Sequence, residues 1–444
     1  MSLRGIFRRF LSKKKKKPNI PPDNSEIMEN KKKKPYILLV NSDIMVNILS
    51  RVPAESALAC RQVCRAWRNL FTLDDKYFSD MHLRRLLMQQ KQTCNRLSFI
   101  FLDVFYSLYY VDFDEKSRKK LTRINFSLPT ETKRLVGSCN GLVCFGIPTK
   151  AIIPSCVDPV YICNLVTREC LELPKFLTED EDIKVYKILS GFGYVPSSNE
   201  YKVVRIIEYY DGNERLNCKL QVYTLGAGSG WRDKGQFDHP LIIALRNVFV
   251  NGALHWLDWR GKIVAFGLAE EEFHVLATPP CLHGSSFGAI HRKFELQVLG
   301  ESLCLFHQKR GRHADIWVLA KNTSYAKNEQ HYEPWSWHRR YTLPLNFTLW
   351  HKWWHGRRGY PFAVTQRGEV LIATYNNEKD IVASSYDPKT TTLKKIENLK
   401  YTIVPDLNTE SHVNSFVSLK ALEEENVANA QKKAFTIPTA AASV

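Results

Sequence analysis

Two short-spaced pairs of side chains are the best candidates in the sequence for holding a metal ion. Cys60 and Cys64 lie four positions apart, as do His351 and His355. A structural zinc site needs a second pair of ligands at matching spacing, and a catalytic zinc helix of the His-Glu-x-x-His type needs a glutamate after its first histidine. The sequence supplies neither, so we expect no metal site.

Residues that could support catalysis lack the surroundings that catalysis requires. The glycine-rich stretch 226–230 is followed by no helical pattern and no Lys-Ser or Lys-Thr pair, which favours a flexible turn over a phosphate-binding loop. No nucleophile elbow or paired-carboxylate motif is present. We therefore expect a non-catalytic chain that uses no cofactor.

One segment combines aromatic and basic residues in a pattern typical of a binding loop. Residues 350–360 read Trp-His-Lys-Trp-Trp-His-Gly-Arg-Arg-Gly-Tyr, between two strand-like stretches. Trp, Tyr and Arg are enriched at the energetic centres of protein interfaces. The tentative target-binding residues are therefore Trp353, Trp354, Arg357, Arg358 and Tyr360. Packing of Trp350 into the neighbouring β-structure is the alternative interpretation.

The positive charge of the chain is concentrated near its N-terminus. Residues 1–34 hold twelve Lys or Arg and three Asp or Glu, which gives +9 of the formal net charge of +18. Their lysine runs flank prolines, a composition that cannot build a core, so we expect a disordered tail over 1–35. The run at 13–17 resembles a nuclear-import signal, and a solvated charge run is the alternative. The sequence contains no basic helix and no aromatic-basic sheet pattern of the kind that binds nucleic acid directly, so we do not expect such binding.

The sequence also favours a compartment inside the cell. It contains no apolar run long enough to cross a bilayer and no secretory signal, so we expect the nucleus, the cytoplasm or both. The eleven scattered cysteines then serve as reduced thiols, and we expect no disulfide framework.

Helical spacing dominates residues 36–90. Asp43 can open a first helix that Pro53 ends, and Val63, Trp67 and Leu70 recur at i, i+4 and i+7 in a later one. Such a module is too small for a large core of its own. Ile48 and Leu70 are the residues most expected to pack inside it.

This segment resembles the F-box. The resemblance rests on Asp43-Ile44, on 48–53 (Ile-Leu-Ser-Arg-Val-Pro), on Ser56 and Leu58, and above all on 63–70 (Val-Cys-Arg-Ala-Trp-Arg-Asn-Leu). Where an F-box usually opens with Leu-Pro, this chain has Val40-Asn41.

The resemblance implies that the module docks on a Skp-type adaptor, which bridges to the cullin and RING subunits of an SCF ubiquitin ligase. The other subunits then supply the ubiquitin chemistry. The apolar residues that the resemblance assigns to adaptor binding are Val40, Ile44, Leu49, Pro53, Leu58, Val63, Cys64 and Trp67.

From residue 95 to 420 the sequence changes to short β-type runs separated by Gly, Asn and Pro. A hairpin with glycine at its turn alternates with an outer pair of strands, and the pattern repeats about every 50 residues, close to kelch spacing. It predicts an all-β propeller of roughly six blades. A terminal strand at 412–419 is expected to close the ring, and 421–444 to form a disordered tail.

The same region resembles the plant F-box-associated, kelch-like domain. The strings that carry this resemblance are 137–142 (Gly-Ser-Cys-Asn-Gly-Leu), 191–194 (Gly-Phe-Gly-Tyr) and 250–256 (Val-Asn-Gly-Ala-Leu-His-Trp). Together the two resemblances imply the substrate receptor of an SCF ligase, which binds an unknown target protein through its β-domain. A propeller scaffold or carbohydrate-binding module with a weak or vestigial F-box is the alternative.

Overall fold

The computed structural model describes four helices followed by β-structure. The described residues are 42–63, 65–70, 76–93, 96–102, 107–114, 120–126, 134–148, 157–176, 183–236, 247–258, 260–284, 294–309, 313–321, 335–344, 360–365, 367–375, 381–399 and 409–422. The tail expected over 1–35, and all but two residues of the one expected over 421–444, lie outside these ranges. Within them, no helix has both the length and the apolar character needed to cross a membrane.

The helices are α1 (Ser42–Leu49), α2 (Ala54–Cys60), α3 (Arg65–Leu70) and α4 (Lys76–Thr93). Pro53 separates the first two and stands at the start of α2, where its missing N–H is no loss. Its carbonyl accepts the backbone N–H groups of Ser56 and Ala57 at 2.9 and 3.0 Å. The proline thus ends one predicted helix and begins the next.

The helical module buries one side of each short helix. Its core consists of Met45, Leu49, Ala54, Ala57, Cys60, Trp67 and Phe78, together with Phe416 from the other end of the sequence. Two expectations fail here. Ile48 is 52% exposed instead of internal, and Val63 is 53% exposed in the turn before α3 instead of sharing a helical face with the buried Trp67.

The described strands form six four-stranded antiparallel sheets, which confirms the predicted six-bladed propeller, and one short 3-10 helix (Pro280–Leu282) follows blade 4. Blade 1 contains β24 (Thr409–Ser411), β1 (Arg96–Leu102), β2 (Leu108–Asp114) and β3 (Lys120–Arg123). Blade 2 contains β4 (Arg134–Cys139), β5 (Leu142–Pro148), β6 (Val157–Asn164) and β7 (Glu169–Glu172). Blade 3 contains β8 (Lys184–Val195), β9 (Glu200–Tyr210), β10 (Leu216–Thr224) and β11 (Trp231–Gln236).

The other three blades follow in chain order. Blade 4 contains β12 (Val248–Val250), β13 (Ala253–Leu257), β14 (Ile263–Gly267) and β15 (Glu272–Leu276). Blade 5 contains β16 (Phe294–Leu299), β17 (Ser302–Gln308), β18 (His313–Lys321) and β19 (Trp335–Pro344). Blade 6 contains β20 (Tyr360–Val364), β21 (Val370–Tyr375), β22 (Ile381–Asp387) and β23 (Thr392–Leu399).

The innermost strands of successive blades contact one another in the order β24, β4, β8, β12, β16 and β20. Blade 1 takes its inner strand from the end of the propeller sequence, because β24 pairs with β1 in the register Phe99↔Ser411. A late strand therefore closes the ring, as predicted, but not the one predicted. Pairing ends at His412, whose N–H donates to Ser98 O at 2.9 Å, and residues 413–419 leave the sheet.

The glycine hairpins lie where the sequence predicts them, between the first and second strands of a blade. Asn140 and Gly141 have φ of 52° and 91°, and Asn251 and Gly252 have 54° and 79°. Two consecutive positive φ values produce the turn whose twist matches a β-hairpin, and Asn-Gly adopts them at the lowest cost.

One expectation about the cysteines is wrong. Cys163 and Cys170 lie directly opposite each other on β6 and β7 and form a disulfide. Register alone brings them together, and seven positions of sequence separation do not reveal it. The cysteines at 60, 139, 144 and 304 are free thiols.

Candidate functional site

The propeller has two faces, and the helices lie against one of them. Helix α4 ends three residues before β1 begins, and its Ser79 Oγ donates to Phe416 O at 2.7 Å. The same C-terminal segment reaches the turn between β4 and β5, where Ser415 Oγ donates to Asn140 O at 2.6 Å. The turns that join first and second strands therefore lie on this helix face.

The helical module has large apolar side chains that its own core does not cover. Ile44, Ile48 and Val63 are 54%, 52% and 53% exposed. Met45 and Leu49, on the other side of α1, are buried. Large apolar side chains that remain half exposed beside a filled core are typical of a surface that binds a protein partner.

The residues predicted to bind an adaptor divide into three groups. Ile44 and Val63 are exposed, and Pro53 and Leu58 are partly exposed. Leu49 and Trp67 are 3% and 7% exposed, so they shape the module from inside. Val40 and Cys64 lie outside the described residues.

Most of the predicted target-binding loop also falls outside the description: Trp353, Trp354, Arg357 and Arg358 are in the stretch 345–359. The strands that flank this stretch are described. Tyr360 begins β20, and β20 runs toward the turn at 365–369, which corresponds to the β4–β5 turn of blade 2. Tyr360 therefore begins its strand at the face opposite the helices.

Five of the described thiols are poor nucleophiles. Burial raises the pKa of the Cys139, Cys281 and Cys304 thiols to about 12, and it also raises the pKa of the Cys60 and Cys144 thiols. A reactive cysteine needs a lowered pKa and an electropositive setting. Within the described ranges, no three His, Cys, Asp or Glu side chains are grouped so that they could hold a metal ion.

Comparison with protein families decides what these two parts are. The family described as "F-box associated beta propeller domain" matches residues 93–421, and the "F-box domain" matches residues 37–79. The chain belongs to the F-box associated beta-propeller family. Its helical module is an F-box, and an F-box implies binding of a Skp-type adaptor.

Curated relatives of this F-box protein come from Arabidopsis thaliana. F-box protein At3g07870 is 25% identical over 402 residues, which cover 81% of this chain and 87% of that protein. F-box protein CPR1 is 27% identical over 302 residues, covering 62% and 67%. F-box/kelch-repeat protein At3g23880 is 23% identical over 291 residues, covering 61% and 73%.

Two solved structures have a distant likeness to the F-box protein. An oligogalacturonate lyase in complex with manganese has a TM-score of 0.37 at 10% identity, over 66% of this chain and 71% of that one. The Aleuria aurantia lectin has a TM-score of 0.33 at 8% identity, over 70% and 97%. Neither likeness bears on the function of this chain.

Sequence reasoning missed two features of the F-box. Ile48 was expected inside the module, although it is exposed four residues after Ile44 on the same helix. The contribution of Phe416 to the F-box core could not be found either, because it depends on a contact between residues more than 300 positions apart. The i, i+4 spacing of the two isoleucines could have identified the first feature.

Proposed function

We propose that this chain is the substrate-recognition subunit of an SCF-type ubiquitin ligase. Its F-box binds the Skp-type adaptor, the adaptor bridges to the cullin and RING subunits, and the propeller binds the target protein. The presence of an F-box ahead of an F-box associated propeller supports this role. The chain itself acts by binding, and the other subunits carry out the ubiquitin chemistry.

The observation that carries the proposal is the exposure of three large apolar side chains of the F-box, Ile44, Ile48 and Val63. A side chain that is about half exposed has not completed its burial, and burying a Val, Ile or Leu fully is worth about 1.5–3 kcal/mol. Three such side chains within one small module offer an adaptor a substantial part of the free energy of binding.

The target surface belongs on the face opposite the helices. The stretch 345–359 connects strand ends at that face, and it holds the Trp and Arg residues singled out above. We propose that Trp353, Trp354 and Arg357 contact the target. In this arrangement the adaptor and the target approach the receptor from opposite sides and do not compete for space.

The test compares the same substitution at two equally exposed valines. Val63 in the F-box is 53% exposed, and Val275 on the outer strand of blade 4 is 51% exposed. Val63→Asp places a charge in the proposed apolar contact, where desolvation without a partner is costly. We expect it to abolish co-purification of adaptor and cullin with the full chain, whereas Val275→Asp leaves capture unchanged.

Capture at the same level by both variants would refute the adaptor surface. Failure of the unmodified chain to capture an adaptor would instead favour the alternative, a propeller scaffold or carbohydrate-binding module with a vestigial F-box. The melting temperature of each variant serves as the control for folding.

A further inference from the structure

Residues 412–419, here called the clasp, lie between the propeller and the F-box. They follow β24, the strand that closes the ring, and every residue from Ser415 to Leu419 is buried. The segment forms no strand or helix of its own. Its backbone polar groups must therefore find partners among side chains on both sides.

On the propeller side, Asn164 binds the clasp with both hydrogens of its amide. Its Nδ2 donates to Ser415 O at 3.1 Å and to Val417 O at 2.7 Å. The same side chain accepts the backbone N–H groups of Val166 and Thr167 through Oδ1 at 2.8 and 3.1 Å. The amide of Asn164 thus uses its full hydrogen-bonding capacity.

Two further contacts fix the clasp on blade 2. Glu169 accepts Leu419 N at 2.6 Å and Ser418 Oγ at 3.0 Å. At Gly141 a Cβ atom would lie 2.0 Å from Ser415 Oγ, so a larger residue would displace the clasp. The glycine of the family string therefore serves both the turn and this close approach.

On the F-box side, Phe416 completes the core of the helical module. Its ring lies 5.6 Å from that of Phe78 and 4.9 Å from that of His82, measured between centroids. Its carbonyl accepts Ser79 Oγ at 2.7 Å. One residue of the clasp thus forms both an aromatic and a polar contact with α4.

A chain of side-chain hydrogen bonds crosses the same junction. His412 Nδ1 lies 2.8 Å from Ser138 Oγ, its Nε2 lies 3.0 Å from Asn414 Oδ1, and Asn414 Nδ2 donates to Glu55 Oε1 on α2. Because Asn414 Oδ1 can only accept, the hydrogen of a neutral His412 is on Nε2, and Nδ1 accepts from Ser138. In each of these three hydrogen bonds, the donor therefore lies on the propeller side and the acceptor on the F-box side.

We propose that the clasp is a positioning segment that fixes the orientation of the F-box on the propeller. This proposal rests on the receptor function proposed above, and it concerns geometry. A receptor that holds its target on one face and its adaptor on the other must keep the two at a constant separation. The clasp provides this because one short segment continues directly from the strand that closes the ring, completes the F-box core through Phe416, and joins the two parts through Asn414 and Glu55.

The experiment measures a distance in the isolated full-length chain, with neither adaptor nor target. Spin labels carried by noncanonical amino acids replace Gln62 of the F-box and Glu272 of blade 4, both exposed, and leave the native cysteines unlabelled. Double electron–electron resonance then gives the distribution of distances between the F-box and the propeller. We expect one narrow distribution from the otherwise unmodified chain.

Two substitutions weaken the clasp without opening a large cavity. Asn414→Ala breaks the hydrogen-bond chain, and Phe416→Leu removes the aromatic contacts while it keeps an apolar side chain in the core. We expect both to lose the narrow distribution. Glu55 provides a matched pair of variants. Glu55→Gln keeps an acceptor for Asn414, so we expect it to retain the narrow distribution. Glu55→Ala removes that acceptor, so we expect a broader distribution.

The results separate this proposal from the receptor function. The positioning role of the clasp would be refuted by a broad distance distribution in the unmodified chain. It would also be refuted if both Asn414→Ala and Phe416→Leu kept the narrow distribution. Amide hydrogen exchange in α2 and α4 shows whether the F-box remains folded in each variant, so that local unfolding is not read as motion. If the unmodified chain captures no adaptor, that result counts against the receptor function. The distance measurement then still tests whether the clasp fixes the orientation of the F-box.

Discussion

Replacement of Asn164 by aspartate tests the attachment of the clasp with almost no change in side-chain shape. Asn164 is fully buried at the end of β6, and its Nδ2 holds the carbonyls of Ser415 and Val417. Asn164→Asp keeps the oxygen that accepts from Val166 and Thr167. It replaces the donor by an oxygen that faces two carbonyl oxygens.

The expected cost follows from the two groups that lose their partner. A buried polar group left without a hydrogen bond costs about 1–3 kcal/mol, so two such carbonyls give about 2–6 kcal/mol. A domain has only about 5–15 kcal/mol of net stability, so this is a large fraction. We expect the melting temperature to fall by roughly 2–8 °C for an unfolding unit of this size.

Asn199 provides the matched control for the assay. It is exposed in the turn between β8 and β9, with a φ of 57°, and its Oδ1 accepts the Tyr194 hydroxyl at 2.7 Å. Asn199→Asp makes the same chemical change and keeps that bond, so we expect a cost within about 0.5 kcal/mol. Differential scanning calorimetry of both variants measures the difference. Equal melting temperatures would refute the role assigned to the Asn164 amide.

Two further predictions concern the target loop and the response to acid. Replacing Trp353, Trp354 and Arg357 by alanine is expected to reduce target capture in proximity labelling while adaptor capture and the melting temperature stay unchanged; an unchanged set of captured proteins would exclude the loop. Burial lowers the pKa of both His412 and His255 to about 4. Between pH about 6.5 and about 4, the unfolded chain therefore binds protons that the folded chain does not. As the pH decreases through this range, the free energy of unfolding falls by up to about 3 kcal/mol per histidine. Urea unfolding across that range checks this, and His412→Asn should reduce the slope; the same slope in both proteins would contradict the assignment.

Local signals in the sequence were sufficient for most of the fold. The hairpin at Asn140-Gly141 follows from the backbone conformations that only a few residues adopt easily, and its counterpart at Asn251-Gly252 repeats the same signal. Because each blade needs such turns at regular intervals, counting repeats was enough to obtain six blades. The predicted division into a helical part and a β part rests on equally local periodicities.

Features that depend on distant contacts could not be predicted. The interior of a short helix is set by what packs on it, and for α4 that includes Phe416, a residue more than 300 positions away. The sequence pattern predicts the ring-closing strand a few residues too late, because the register between β1 and β24 leaves no mark on the sequence of either strand. Of the candidate adaptor residues, sequence alone could not separate the exposed Val63 from the buried Trp67.

The pairing of Phe99 with Ser411 has a consequence for the order in which the protein matures on the ribosome. The F-box helices are synthesised long before Phe416, so the nascent chain holds Phe78 and His82 without the ring that covers them. Contacts across more than 300 residues close slowly, because the chain between their ends must first be ordered. Until translation passes residue 416, the F-box lacks part of its core and the propeller lacks its last inner strand. The F-box and the propeller therefore complete their cores at the same late stage of synthesis.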